Sequence, residues 1–366
     1  MTSISVLHID TGAEFRGGQR QVLLLTDCLG RIGIRQAIAV PKNSALRSRL
    51  ENHEVIPLAA SSLIRKVRIT DLVRAVKSRP VSIIHAHDSE SHTIGLRLKR
   101  LFPKVKLVVT RRVVFPPSGF LSRCWKYGGA VDIYIAVSRA VAAALVKNGV
   151  PEEKIAVIPS ALDIGAIASA EPDPSLIGET AARFPVLIAS AGALTAEKDF
   201  ATAIRAVHLA GKRVNGIGLI ILGEGPERKK LLRLVRELEA ENIVLPGYRE
   251  PLAPIFKCCR MFLLTSTSEG LNTAAIEAAA CGLPLVVSDV GGLPELVTDG
   301  DNGRLCPPGD AEAFARAITD ISADDGRRQA LGSRSALMAW RFDMAENAAQ
   351  IVDLYNRLLA RSSGGV

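Results

Sequence analysis

The chain has 366 residues, 48% hydrophobic and 4% aromatic, with a formal net charge of +9. That length suits two domains with full cores, and no apolar run approaches the roughly 18 residues that a membrane-spanning helix needs. Residues 1–165 hold 25 Lys and Arg against 12 Asp and Glu, and the remainder 21 against 25, so the two halves suit different partners.

Scarce aromatics and the lack of any nucleic-acid motif argue against nucleic acid as the partner of the basic half. An anionic membrane surface or an anionic acceptor fits it better, with a generically basic solvated surface as the plain alternative. The start, Met1-Thr-Ser-Ile-Ser-Val, lacks the basic flank and cleavage site of a signal peptide. Six scattered cysteines without a C-x-x-C pair point to reduced, mostly buried thiols and a cytoplasmic location.

In chain order, Ile4–Ile9, Gln36–Val40, Ser82–Ala86, Lys106–Val109 and Ile133–Val137 read as strands, with helices over Gln19–Leu29 and Ala140–Lys147. A second strand series follows: Pro185–Ala191, Gly218–Gly223, Ile243–Leu245, Arg260–Thr265 and Leu285–Ser288. Strand–helix alternation means parallel sheets covered on both faces. Two series mean an α/β protein of two doubly wound, Rossmann-like domains, expected over 1–165 and 166–343, facing each other across a cleft. The boundary is expected within Ala161–Arg183, which has two prolines and no clean periodicity. A last amphipathic helix, about 344–360, is expected to pack back on the first domain, with a loose tail after it.

Ligands of such sheets bind beyond the carboxyl ends of the strands. Several turns fall there: Gly17-Gly18 after the first strand, His87 after the third, Arg111-Arg112 after the fourth, Gly192 to Lys198, Gly223-Glu-Gly225-Pro, and Gly247-Tyr-Arg249. Each alone is weak, because a lone strand-end histidine or a short glycine turn is usually structural. The strongest segment is Glu269-Gly-Leu-Asn-Thr-Ala-Ala-Ile-Glu277, a turn from a buried strand into a small-residue helix from Thr273 to Cys281. The free N–H groups at such a helix start, with the positive end of its dipole, make an anion site. Glu269 and Glu277, just over two turns apart, would repel a phosphate and suit sugar hydroxyls. The pair therefore implies a ligand with a phosphate and polyol units, a nucleotide sugar.

The motifs G-x-L-x-x-x-K (Gly192 to Lys198), L-G-E-G-P, P-G-Y, S-x-x-E-G-L-N-x-x-x-x-E (Ser266 to Glu277) and C-G-L-P-L-V-x-S-D-V-G-G-L-P-E-L (Cys281 to Leu296) come in an order that resembles glycosyltransferase family 4, the retaining "group 1" glycosyl transferases of the GT-B fold. The resemblance covers nearly the whole chain and is strongest over 186–310. It extends to Gly17-Gly18-Gln-Arg20, to His85-Ala-His87-Asp88, and to Tyr134 to Ser138 followed by Val157 to Asp163.

The resemblance implies transfer of a sugar from a nucleoside diphosphate sugar to a glycan or lipid-linked acceptor, in cell-envelope polysaccharide or lipopolysaccharide assembly. It makes the first domain the acceptor side and the second the donor side. Catalytic roles fall on His87, which touches the transferred sugar, on Lys198, which neutralises the leaving diphosphate, and on Glu269, which holds sugar hydroxyls. Gly17, Gly18, Gly192, Gly225, Arg249, Gly270, Leu271, Asn272 and Thr273 join the donor site, with Glu277 on the ribose. No cofactor and no metal are implied, and peripheral contact with the inner face of an anionic membrane is. Basic-aliphatic segments at Ser61–Arg68 and Gly95–Lys104 are the candidates for that contact, an ordinary amphipathic helix being the alternative.

One position departs from the pattern: Ala193 stands where the family commonly has an arginine that clamps the diphosphate with the lysine. Arg111 or Arg112 is the expected substitute, with Arg16 and Arg20 as alternatives. Ala193 also keeps open a nucleotide-sugar-binding protein without transfer activity, and a GT-B epimerase remains a further option. A phosphorylase would call for pyridoxal and a longer chain. An oxidoreductase would call for G-x-G-x-x-G after the first strand, which Phe15-Arg-Gly17-Gly18 does not supply.

Overall fold

The computed structural model describes residues 4–58, 69–114, 125–127, 129–178 and 180–363. The chain divides into two compact units, Met1–Ala161 with Met344–Val366, and Leu162–Asp343.

The first unit is built on seven parallel strands: β1 (Ser5–Ile9), β2 (Arg35–Pro41), β3 (Val55–Leu58), β4 (Ile83–Ala86), β5 (Lys106–Arg111), β6 (Ile133–Ala136) and β7 (Ile155–Val157). Their order is β3-β2-β1-β4-β5-β6-β7, and the register sets His8 beside His85. β1, β4 and β6 are buried at every position, the polar Ser5, His8 and His85 included, as central strands are in a sheet covered on both faces. The helix Met344–Ser363 belongs to this unit. Met344, Ala348, Ile351, Leu354, Tyr355 and Leu358 recur every three or four residues and pack with Leu25, Leu29, Ile83 and Ile133. Burying six such side chains is worth on the order of 10 kcal/mol before entropy is counted. The helix runs on through Ser362 and Ser363, so these two residues do not form the loose tail that their composition suggested.

The second unit holds six parallel strands: β8 (Val186–Ala191), β9 (Ile217–Leu222), β10 (Ile243–Gly247), β11 (Met261–Leu264), β12 (Leu285–Ser288) and β13 (Gly303–Cys306), ordered β10-β9-β8-β11-β12-β13. Its core joins Ile188, Ile204, Leu219, Leu263, Phe314 and Ile318. Each sheet reverses its strand order once, between β1 and β4 and between β8 and β11. Crevices at the carboxyl ends of such strand pairs are where doubly wound sheets bind ligands.

Cys28, Cys258, Cys259, Cys281 and Cys306 are free thiols, and burial pushes the thiol of Cys281 up to about 12 and that of Cys306 up to about 11. Cys124 and the segment 61–68 lie outside the described residues. Among the described residues no helix is long and apolar enough to cross a membrane.

Candidate active site

In the second unit the turns after β8 and β11 meet. Lys198 ends a short 3-10 turn after β8, and its ammonium donates to Glu269 Oε2. The same carboxylate oxygen accepts from Asn272 Nδ2 at 3.1 Å and from Ser266 Oγ at 3.4 Å. Asn272 also caps the helix Thr273–Ala280, its Oδ1 accepting from the amide of Ala275 at 2.9 Å. One asparagine thus closes the helix start and fixes the carboxylate beside it. The side chains of Lys198 and Glu269 are 16% and 12% exposed, which keeps a strong pair within reach of a ligand. Gly270, Leu271 and Asn272 are buried and Thr273 half-buried. Glu277, on the same helix, is buried, 1% exposed.

The neighbouring turns are sewn together by backbone. Gly192 N–H donates to Leu222 O at 3.0 Å, Leu194 N–H to Glu224 O at 2.9 Å, and Gly223 N–H to Gly247 O at 3.0 Å. Two glycines permit the close approaches. A Cβ on Gly225 would stand 2.5 Å from the Leu194 carbonyl oxygen, and one on Gly291, whose φ is +56°, 1.8 Å from that of Glu269. Ala193 is half-buried beside Gly192, while Tyr248 and Arg249 are exposed, the arginine donating to the Tyr248 carbonyl at 2.9 Å.

In the first unit the strand ends of β1, β4 and β5 gather His8, His85, His87, Asp10, Asp88 and Arg112. His8 Nδ1 lies 3.0 Å from His87 Nε2. His85 is held by the Tyr355 hydroxyl at its Nδ1 and by the Thr110 hydroxyl at its Nε2, both at 2.6 Å. Arg112 donates to the His87 carbonyl at 2.6 Å and stands 3.4 Å from His87 Nδ1. Burial, the His85 and His8 rings and the Arg112 charge hold His87 well below the usual histidine range. Burial does the same to His85, helped by His8 and Arg112, and pulls His8 down to about 3. The three rings are neutral at physiological pH.

Nitrogens of His8, His85 and His87 lie within 4.8 Å of one another, a spacing a metal ion would accept. His85 is engaged at both nitrogens by Tyr355 and Thr110 and has no lone pair to spare for an ion. His8 Nδ1 faces His87 Nε2 beside the Arg112 cation, while His8 Nε2 has no hydrogen-bond partner among the described residues.

Asp10 accepts from Gly12 N–H at 2.9 Å and from Gln19 Nε2 at 3.1 Å. Burial and the Asp88 charge raise its pKa. Asp88 accepts from the Thr11 amide and hydroxyl and from the amides of Glu90 and Ser91, capping the helix Ser89–Leu101. The two carboxylates fix the loop that leads to Gly17 and Gly18, at the start of the helix Gly17–Arg31. Gly17 is exposed, and a Cβ on Gly18 would meet nothing within 4 Å. Arg111 is buried at the end of β5.

Sequence reasoning set Lys198, Glu269 and Asn272 in one segment order, and the fold brings their side chains together. It missed His8, Asp10 and Tyr355. The available signal was the matching strand ends His8-Ile-Asp10 and His85-Ala-His87, readable only once β1 is known to pair with β4.

The family model described as "Glycosyl transferases group 1" matches residues 181–338, and that described as "Glycosyltransferase Family 4" matches 15–165. The lipopolysaccharide core biosynthesis glycosyltransferase LpsE of Rhizobium meliloti is 34% identical over 184 residues, 50% of this chain and 52% of that protein. The chain thus spans about half the length of that relative, and less of others. A GDP-mannose-dependent phosphatidylinositol monomannoside mannosyltransferase of Mycolicibacterium smegmatis is 28% identical over 70% of this chain and 73% of its own. Among solved structures, HepE of Anabaena, in complex with UDP and glucose, superposes with a TM-score of 0.84 over 97% of this chain and 100% of that one, at 21% identity. That likeness shows the GT-B fold, two parallel doubly wound sheets. Family matches over both units and the shared fold lead to one conclusion: the chain belongs to the group 1 glycosyl transferases, glycosyltransferase family 4.

Proposed function

We propose that the chain is a retaining glycosyltransferase that moves a sugar from a nucleoside diphosphate sugar to a glycan or lipid-linked acceptor in cell-envelope polysaccharide or lipopolysaccharide assembly. The observation that carries this is the Lys198–Glu269–Asn272 cluster at the start of the helix Thr273–Ala280, beyond the β8/β11 reversal. A cation and free helix amides suit a diphosphate, and an oriented carboxylate suits sugar hydroxyls. HepE was solved with UDP and glucose, and relatives are named for lipopolysaccharide core and colanic acid biosynthesis; these support the donor class and the setting.

In this reading the second unit binds the donor and the first the acceptor. The bond from the sugar's anomeric carbon to the diphosphate oxygen breaks as the acceptor oxygen bonds to that carbon on the same face. The acceptor's proton passes to the departing oxygen. Lys198 and the helix amides take up the charge that develops there, so no metal is required. In the second unit Gly192, Gly225, Arg249 and the amides of Gly270 to Thr273 are the proposed donor contacts, with Glu277 for the ribose; Gly17, Gly18 and His87 of the first unit are assigned to the donor by the family resemblance alone. A cytoplasmic site of action, peripheral on an anionic membrane, would suit a lipid-linked acceptor. Of the basic segment 95–104, Lys99 is taken by Asp132 at 2.8 Å, while Arg97, Arg100 and Lys104 are exposed.

The test is thermal stabilisation of the protein across UDP, GDP, ADP, CMP and NAD. A shift with one nucleoside diphosphate supports the reading and names the base. A shift with NAD alone, or with none, overturns it. Ala193, in place of the clamp arginine, favours the second reading, a binding protein without transfer; nucleotide binding without turnover on any sugar donor would select it.

A further inference from the structure

The geometry points to Arg112 as a positioning residue that locks the His87 ring in one tautomer, rather than as the phosphate ligand that its strand-end position suggested; the role rests on the proposed transferase reading. A guanidinium carries donors and no acceptor. Arg112 places one nitrogen 2.6 Å from the His87 carbonyl and the other 3.4 Å from His87 Nδ1. That second approach is attractive only if Nδ1 bears its lone pair. The ring proton then resides on Nε2 and points at His8 Nδ1, 3.0 Å away, so His8 must accept there and carry its own proton on Nε2. The two rings lie edge to edge and nearly coplanar, with centroids 5.2 Å apart, and the His85 ring is 4.0 Å from that of His87, which leaves His87 little room to turn over.

The guanidinium Nε of Arg112 has no hydrogen-bond partner among the described residues, while the charges of Asp10 and Asp88 favour the group against burial. Both are fixed by the loop after β1 and the helix after β4, Asp10 through Gly12 and Gln19, Asp88 through Thr11, Glu90 and Ser91. The carbonyl and Nδ1 of His87 are thus spoken for by Arg112, and its Nε2 by His8. A diphosphate that recruited Arg112 would release this ring. The expectation that Arg112 replaces the arginine missing at Ala193 conflicts with the work that the side chain already does.

Nitrogen NMR on the ligand-free protein tests this without any activity. Protein labelled with 15N-histidine shows His87, assigned by comparison with His87→Gln, as the Nε2–H tautomer throughout pH 6 to 8. Arg112→Lys and Arg112→Gln keep the fold, checked by thermal unfolding, yet broaden or shift the His87 nitrogens toward a mixture of tautomers. With a donor found by the nucleotide screen, both variants lower kcat at least tenfold while the Kd for the nucleoside diphosphate changes less than threefold. An unchanged His87 tautomer in both variants overturns the proposal. So does a tenfold loss of diphosphate affinity at unchanged kcat, which would make Arg112 a phosphate ligand. Failure of every nucleotide to bind would overturn the transferase reading, while the NMR result on Arg112 would still stand.

Discussion

Asn272 joins its Nδ2 to Glu269 Oε2 at 3.1 Å and its Oδ1 to the Ala275 amide at 2.9 Å, so one side chain holds both the carboxylate and the helix behind it. Asn272→Ala removes both bonds. Loss of a cap costs about 1 kcal/mol, which in a unit of this size lowers Tm by about 2–4 °C. Asn272→Asp restores the cap and sets a second carboxylate against Glu269. We expect the aspartate variant to regain most of the lost Tm and little of the lost kcat. Equal recovery of both would mean that the contact with Glu269 is incidental.

The central strands and the strand-end turns were legible because parallel strands buried on both faces read as unbroken apolar runs. The three strands the sequence did not announce, β3, β7 and β13, are all edges of their sheets. β3 contains Pro57, β7 has three residues and β13 begins with Gly303. Edge strands tolerate proline and need apolar residues on fewer sides, so their pattern fades. The site was legible in part for a related reason. Glu269 and Asn272 are neighbours along the chain, whereas the contact of His8 with His87, and that of Tyr355 with His85, join residues 79 and 270 positions apart.

Lys198 and Glu269 should separate binding from transfer. Glu269→Ala frees the ammonium for the diphosphate, so nucleotide affinity should hold while kcat falls on the order of 10²–10³-fold, as for other lost preorganised polar groups. Lys198→Ala leaves a carboxylate beside the diphosphate and should weaken nucleotide binding roughly tenfold or more, about 1.4 kcal/mol per decade. Calorimetry with the nucleoside diphosphate, set against steady-state turnover, checks both. Equal losses of affinity and turnover in the two variants would contradict this division of roles.

Two glycines make a contrasting pair. Gly291→Ala forces a Cβ against the Glu269 carbonyl in a left-handed backbone, at a cost of about 1–3 kcal/mol from overpacking alone. Gly18→Ala meets nothing within 4 Å, so its stability should hold or rise slightly. If the donor phosphate approaches that helix start, Gly18→Ala should still weaken donor binding. Urea unfolding and nucleotide titration of the two variants decide it: unchanged binding by Gly18→Ala removes the helix start from the donor site.

Metal removal is predicted to leave turnover intact, because Lys198 and helix amides supply the positive charge. Assay after EDTA treatment and desalting checks this. Loss of activity that Mg²⁺ or Mn²⁺ restores would show that the charge on the diphosphate is met by an ion instead.

Acid should unfold the first unit before the second. His8 and His92 are both pulled down to about 3, chiefly by burial, and His85 and His87 lie well below the usual range for the same reason. Below pH 6.5 the unfolded chain takes up protons at these rings and the folded chain does not, so the stability present above pH 6.5 drains away as the pH falls toward 3. Each ring contributes about 1.4 kcal/mol per pH unit in that window, so at pH 5 His8 and His92 together cost on the order of 4 kcal/mol. Asp10, whose raised pKa favours the folded form on protonation, opposes this only in part. The second unit contains a single histidine, His208. The two tryptophans, Trp125 and Trp340, lie one in each unit, so Trp340→Phe and Trp125→Phe variants report the units separately by fluorescence. From pH 7 to pH 5 the urea midpoint seen by Trp125 should fall well below that seen by Trp340. Equal shifts at both would place the acid sensitivity outside the buried histidines.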